Sequence, residues 1–361
     1  MSKARELSIK SKFLEYKVVF QDSLNIPSDA LVIADSNVVL SHGFEGQKNL
    51  EILDVSEDEK NLDSVIRIIE IFQRRKIRRD SRVVFLGGGV IQDLGTFASS
   101  IYMRGIDWIY YPTTLQSMID SCIGSKSSIN FGTAKNLIGN YFPPSEIRIW
   151  PGFLATLTKD QIVSGLIEGL KICTAGNCAP EFVKWLDVYI SNGLQDNSEV
   201  VELISISLTA KKTFVEEDEF DQGVRKILNY GHTFGHALES SSNYQIDHGV
   251  AVGIGILAAH NLARNLGLIS DAKTSTENAV LRLLGLLDPN MNDCLNDLDI
   301  RYFVSFLNGD KKTTHHDYVF ILPSELGLTT RKLPLTEESE TIIFAAICSA
   351  IQEVKNEQVL G

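Results

Sequence analysis

The sequence predicts two domains: an α/β, Rossmann-like nucleotide-binding domain over residues 1–155, then a mostly α-helical, metal-binding domain over 156–361. Three observations predict this. Short apolar runs of strand character alternate with helical periodicity up to about residue 150. Gly87-Gly88-Gly89 follows one of those runs and opens a helix. Beyond residue 155 the helical period continues almost unbroken, and three of the seven histidines, His232, His236 and His248, fall there within seventeen residues. At 361 residues the chain exceeds one ordinary core, so two domains of roughly 150–200 residues are expected.

The elements follow in order. Ala30 to Asp35 is a short apolar run ending in an acid, as in a buried parallel strand. Residues 63–75 place Val65, Ile66, Ile68, Ile69, Ile71 and Phe72 at helical spacing. Arg82 to Leu86 is a second buried strand, and Trp108 to Tyr111 a third, ending at Pro112-Thr113-Thr114. A boundary falls near 150–158. Segments 159–177, 179–191, 196–217, 225–241, 248–266 and 272–287 then read as helices, and Tyr318 to Leu322 as a late strand. Residues 287–316, polar and containing His315 and His316, read as a mobile surface loop.

A net charge of −12 argues against nucleic acid or a membrane surface as partner, since both need a basic footprint. It leaves room for an anionic small molecule if cations are gathered in one place. The N-terminus has no apolar signal-peptide core, and no apolar run approaches the ~20 residues of a membrane span. The five cysteines form no CxxC pair, which suits reduced thiols in a cytoplasmic protein.

Several segments carry candidate chemistry. Glycines at 87–89 let a backbone approach a pyrophosphate at the N-terminus of a helix, although the run is not GxGxxG and a plain tight turn explains it too. Asp35 suits a ribose hydroxyl or simply a helix cap. Arg104, Thr113, Thr114, Asp120, Lys126, Asn130, Lys135 and Asn136 crowd a loop-like stretch, with donors fit for phosphate or carboxylate. Glu168 and Lys171, three apart on a helix, read as a salt pair when taken alone. His232 and His236 are spaced i,i+4 and share a helix face. Packed or capping histidines fit that spacing. So does a zinc site, which needs three protein ligands and one open position, the third ligand being a carboxylate from elsewhere. The Gly-flanked His248, with Asn229 and Arg225 on the approach, tips the reading toward a metal with substrate beside it.

Together these segments resemble dehydroquinate synthase and its sugar phosphate cyclase relatives over about residues 30–325. The resemblance is carried by Gly87-Gly-Gly-Val-Ile-Gln-Asp-Leu94, Tyr102-Met-Arg-Gly105, Pro112-Thr-Thr-Leu115, Asp120-Ser121 and Lys135-Asn-Leu-Ile-Gly139. Ser164-Gly-Leu-Ile-Glu-Gly-Leu-Lys171, Asp218-Glu219 with Gly223-Val-Arg225, Leu228-Asn-Tyr-Gly-His-Thr-Phe-Gly-His236 and His248-Gly249 carry the rest. It implies Zn²⁺ (or Co²⁺) held by Glu168, His232 and His248, with His236 facing substrate instead of ligating. It implies NAD along Asp35, Glu57, Lys60, Gly88, Gly89, Val90, Asp93, Thr113, Thr114, Asp120 and Ser121. Lys126, Lys171, His236, Asn136 and Asn229 are implied to be catalytic. Arg104, Lys135, Lys211, Arg225 and Lys311 are implied to bind substrate, and Arg104 is expected to reach the neighbouring site of a homodimer.

The reaction implied by the resemblance is a transient oxidation of a phosphorylated sugar acid by NAD, elimination of phosphate, re-reduction and an internal aldol closure. It is the entry step of shikimate-type aromatic biosynthesis and calls for a closed, dry site. Arg225, Lys211 and His236 favour 3-deoxy-arabino-heptulosonate 7-phosphate as substrate. Departures at Ser125 to Ser128, Gln92, Ala134, Tyr230 and Asn140 leave open a related cyclase acting on glucose 6-phosphate or an amino sugar. A metal-dependent polyol dehydrogenase shares the plan, but has no need of so many phosphate-gripping cations.

Overall fold

The computed structural model describes residues 5–360 apart from 45–48, 133, 243–244, 288–294, 296–302, 304–305 and 308–315. The chain forms two compact units: residues 1–157 with 195–222, and residues 158–194 with 223–361. A single cut between 155 and 156 therefore misplaces the long helix at 197–217. That helix packs with the first unit, a long-range association that local periodicity does not encode.

The first unit is built on a seven-stranded sheet. Its strands are β1 (Glu6–Lys10), β2 (Glu15–Phe20), β3 (Leu31–Asp35), β4 (Leu50–Leu53), β5 (Val83–Gly87), β6 (Trp108–Pro112) and β9 (Glu146–Ile149), in the order β1-β2-β9-β6-β5-β3-β4. Only the β1–β2 pair is antiparallel. β3, β5 and β6 are almost wholly buried, which is why they read as continuous apolar runs without alternation. Helices α1 (Ser36–His42), α2 (Leu62–Arg74) and α3 (Gly89–Ile101) follow β3, β4 and β5. The stretch at 104–136 is less irregular than the sequence suggests. Residues Lys126–Phe131 (β7) and Ala134–Tyr141 (β8) pair as an antiparallel hairpin. Only the polar, half-exposed character of its strands disguised it.

The second unit holds α4 (Lys159–Ala175), α5 (Ala179–Ser191), α7 (His232–Ser241), α8 (His248–Asn265), α9 (Ser275–Gly285) and α10 (Glu337–Leu360), while α6 (Asn197–Glu217) belongs to the first. A hairpin of β10 (Asp317–Ser324) and β11 (Gly327–Pro334) includes the expected late strand; β11 and α10 had no sequence-based expectation. α8 is the core of this unit: every residue from Gly249 to Ala263 except Asn261 is buried. α4 starts at a capping box, Thr158 with Gln161, and ends in a left-handed turn at Asn177 (φ 55°) where Cys178 N–H donates to Cys173 O at 2.8 Å. The single helix expected at 225–241 is broken. Residues Val224–Asn229 form a short 3-10 helix, and Gly231 takes φ 77° before α7 begins at His232. No described helix is long and apolar enough to cross a membrane.

Candidate active site

In the first unit the parallel register sets Ala34 opposite Leu86 and Gly87 opposite Pro112. Asp35, Gly88 and Thr113, one residue beyond those pairs or next to them, therefore gather at the carboxyl edge of the sheet. Nucleotides bind at that edge in open α/β sheets. Gly88 is the N-cap of α3 and supplies no side-chain cap, so the first N–H groups of the helix stay available. A Cβ on Gly89 would meet nothing within 4 Å, and one on Gly88 would lie 3.1 Å from Thr114 Cγ2. The backbone is thus open to an approaching group at 89 and closed against Thr114 at 88. Tyr110 Oη donates toward the Gly87 and Gly88 carbonyls at 3.1 and 3.2 Å and fixes the turn from the buried side. Asp35 caps α1, accepting from Asn37 N–H at 2.9 Å, and burial raises its pKa.

A polar cluster lies on the same unit. Lys60 is buried, and its Nζ meets Asn136 Oδ1 at 2.7 Å, Glu57 Oε1 at 3.1 Å and Asp93 Oδ2 at 3.2 Å. Ser128 N–H donates to Asp93 Oδ1 at 3.1 Å, and Asn130 Nδ2 donates to Glu57 O at 2.8 Å. Burial pushes the Asp93 carboxyl up to about 6 against the opposing pull of Lys60. Four of the sequence-derived positions, Glu57, Lys60, Asp93 and Asn136, are therefore one network. Asp120 forms an ion pair with Lys211, whose Nζ also donates to Asp120 O at 2.6 Å. Lys126 pairs with Asp221 at 2.5 Å. Arg104 is exposed, in a turn where Met103 and Arg104 both have positive φ and Arg79 Nη2 holds the Met103 carbonyl at 3.0 Å. Lys135 is half-buried on β8, and Val90 half-buried at the start of α3. Lys311 lies outside the described residues.

Several departures from the family pattern are hydrogen-bonded within the first unit. Ser127 faces Asn140 across the hairpin, and its Oγ donates to Asn140 Oδ1 at 2.7 Å. Asn140 Nδ2 continues to Ser100 Oγ at 2.5 Å. Gln92 and Ser121 exchange two hydrogen bonds, each 2.7 Å. Ser125 Oγ donates to Glu219 Oε1 at 2.9 Å.

In the second unit, Glu168, His232 and His248 bring one ligand atom each to within 4.8 Å of the others. Glu168 is fully buried, and its Oε1 has no hydrogen-bond partner among the described residues; His248 Nε2 stands 3.5 Å from it. Lys171 Nζ donates to Glu168 Oε2 at 2.5 Å, so the pair expected on α4 is real, buried and pointed at the same place. His232 Nδ1 is 3.3 Å from Tyr230 O, which leaves Nε2 as its ligating atom. A buried carboxylate with one oxygen bonded to Lys171 and the other left without a hydrogen-bond partner among the described residues, beside two imidazoles, fits a zinc-type divalent cation. The first expectation from spacing, a His232–His236 ligand pair, is corrected. Their rings lie 5.2 Å apart, but His236 groups with Glu239 and His248 and not with Glu168 and His232. Arg225 is buried in the 3-10 helix and Asn229 half-buried at its end, where its Nδ2 donates to Lys226 O at 3.1 Å.

Glu239 was not among the expected site residues. Its Oε2 lies 3.1 Å from His248 Nδ1. Burial works against the charged form of His248, but Glu239 and then Glu168 overcome it and raise its pKa. The available signal was position: Glu239 follows His236 by three and His232 by seven, on one helix face.

Residues 51–164 match the family model for the 3-dehydroquinate synthase N-terminal domain, and residues 165–313 that for the C-terminal domain. The chain is 33% identical over 346 residues to a 3-dehydroquinate synthase of Campylobacter jejuni subsp. doylei, covering 92% of this chain and 97% of that protein. It is 35% identical over 333 residues to that of Helicobacter pylori, covering 90% and 94%. Among solved structures, a 2-deoxy-scyllo-inosose synthase with carbaglucose-6-phosphate, NAD⁺ and Co²⁺ superposes at TM-score 0.77 with 21% identity, covering 95% of this chain and 99% of that one. A 2-epi-5-epi-valiolone synthase from Streptomyces hygroscopicus with NAD⁺ and Zn²⁺ gives TM-score 0.75 with 25% identity, covering 95% and 98%.

Proposed function

The chain belongs to the 3-dehydroquinate synthase family, and on that premise we propose that it is a phosphate-eliminating carbon–oxygen lyase that closes 3-deoxy-arabino-heptulosonate 7-phosphate into 3-dehydroquinate. The observation that carries the reading is the convergence of Glu168, His232 and His248, with Lys171 on the carboxylate. When bound, NAD⁺ accepts and returns a hydride, and the divalent metal acidifies the alcohol that gives it up.

The chain's own residues would do the rest. The uncapped N-terminus of α3 and the open backbone at Gly89 suit a pyrophosphate, with Asp35 and the Glu57–Lys60–Asp93 network along the dinucleotide. Glu168, His232 and His248 would hold the metal. Arg225, buried as it is, would bind the substrate carboxylate, while Lys126, Lys135 and Lys211 grip phosphate and acid oxygens as fixed cations. Lys171 and His236 are assigned to proton movement and hydroxyl positioning, with Asn136 and Asn229 donating to substrate. Arg104, held outward by its left-handed turn, suits delivery to a second copy in a homodimer. The free thiols Cys122, Cys173, Cys178 and Cys348 suit a cytoplasmic enzyme of aromatic biosynthesis.

The departures near the substrate lysines are bonded to protein groups and are compatible with the heptulosonate. Ser127 and Asn140 bond each other, Asn140 also bonds Ser100, Gln92 bonds Ser121, Ser125 bonds Glu219, and Ser128 bonds Asn136. The test offers purified protein, zinc and catalytic NAD⁺ either the heptulosonate phosphate or glucose 6-phosphate. Phosphate release from the first alone, without accumulating NADH, is the expected result. Release only from glucose 6-phosphate would transfer the assignment to an inosose-type cyclase, and net NADH without phosphate to a dehydrogenase.

A further inference from the structure

Tyr230 stands between the metal group and a buried charged cluster that the chemistry above does not use. Its side chain is fully buried, its carbonyl lies 3.3 Å from His232 Nδ1, and its ring leans on the His260 imidazole at 6.1 Å between centroids. His260 and Glu277 are themselves 2% and 1% exposed, with His260 Nδ1 2.9 Å from Glu277 Oε2. Arg264 reaches both Glu277 oxygens at 2.7 Å, and Thr274 N–H donates to Oε2 at 2.8 Å in the capping box of α9. Tyr230 Oη and both ring nitrogens of His260 are buried without a hydrogen-bond partner among the described residues, so the 2.9 Å approach of His260 to Glu277 is a close contact and not an aligned hydrogen bond.

Such a cluster is a poor way to gain stability. Apolar residues of the same volume usually do as well or better, and each unpartnered buried polar atom carries a desolvation penalty. What a fixed ion pair supplies and an apolar contact does not is direction. The loop above it has no slack to absorb a misplaced ring. Gly231 sits at φ 77°, and α8 passes so close that a Cβ on Gly255 would lie 2.1 Å from Gly231 O. Any shift of Tyr230 must therefore pass to His232. α8 also starts at the ligand His248 and carries His260 three turns later, so both imidazole ligands are referred to one helix.

We propose that His260 and Glu277 are positioning residues for the metal ligand His232, acting through the ring and carbonyl of Tyr230. The inference rests on the metal reading of Glu168, His232 and His248. Its test is the dissociation constant for zinc alone, measured by competition with a chelating dye at 10 °C on folded, metal-free protein. Wild type, His260→Phe, Glu277→Gln and His248→Ala are compared, and the melting temperature of each apoprotein is taken separately. His260→Phe and Glu277→Gln should bind zinc about tenfold or more weaker, the range in which outer-shell partners act. Their Co²⁺ absorption bands should also shift from those of wild type. Zinc affinity within twofold of wild type and an unchanged Co²⁺ spectrum, with only a lowered melting temperature, would mean plain structural support and overturn the proposal. Should His260→Phe not fold, His260→Asn with Glu277→Gln decides by the same readouts. Wild type that binds no zinc sinks the metal reading itself, and His248→Ala binding as well as wild type would do the same. Either result is distinct from failure of the positioning proposal alone.

Discussion

Glu239 Oε2 lies 3.1 Å from His248 Nδ1, while Nε2 of the same ring faces Glu168 Oε1 at 3.5 Å. One imidazole is thus held between an orienting carboxylate and the one proposed to hold the metal. This arrangement fixes the tautomer that presents Nε2 to a metal and raises the basicity of the ligand. Glu239→Gln should therefore weaken zinc binding about 10–100-fold while leaving the helical fold intact. Equilibrium dialysis with circular dichroism checks this, and unchanged affinity would reduce Glu239 to a surface acid.

His248→Ala removes one of the three proposed metal ligands. Metal content by atomic absorption and turnover should be lost together, in the same preparation. Activity persisting in metal-free His248→Ala would remove this group from the chemistry.

Arg225 is buried, and on the proposed assignment it faces a carboxylate. Arg225→Ala should raise KM for the heptulosonate phosphate far more than it lowers kcat, by about 2–5 kcal/mol of binding for a stranded charge. An unchanged KM would move the carboxylate to another cation.

Asp93 gives stability a defined pH dependence. Its folded-state pKa of about 6 lies above the ordinary carboxyl value of about 3.9 because burial disfavours the charge. The folded protein thus holds this proton more tightly than the unfolded chain does. The contribution is complete below about pH 4 and is lost as pH rises through 6. Urea midpoints of the apoprotein at pH 4.5 and 7 should differ less for Asp93→Asn than for wild type. An equal difference in both would mean that Asp93 is ionised throughout.

Gly231 combines φ 77° with a Cβ position 2.8 Å from both Val252 O and Ile256 Cγ1. Gly231→Ala should cost at least about 1–3 kcal/mol in thermal or urea unfolding, from the backbone strain alone. It should also weaken zinc binding, because the next residue is His232. A variant as stable as wild type would show that the loop can relax.

Much of this was legible from residues alone. The buried strands β3, β5 and β6 announce themselves as apolar runs, since parallel strands covered on both faces need no alternation. α2, α4, α5 and α8 follow from helical period, and the glycine run after β5 marked the start of α3. The β7–β8 hairpin was not legible, because half-exposed strands with Lys, Ser and Asn lack the pattern of a buried face. Nor was the break at Tyr230–Gly231, because the 3.6-residue period runs through it and only contact with α8 forces it.

The sequence by itself determined the family, the inventory of ligand and cation types and the order in which they occur, because those are carried by local motifs. The tertiary structure decided which of them meet. It brought Glu168 together with His232 and His248, 64 and 80 residues further along the chain, placed α6 with the first unit, and set Glu239 beside His248 and the His260–Glu277 pair near Tyr230. Those associations depend on helix packing across long sequence separations, where a buried carboxylate is tolerated only if something in the fold compensates it, and no local pattern records what that will be.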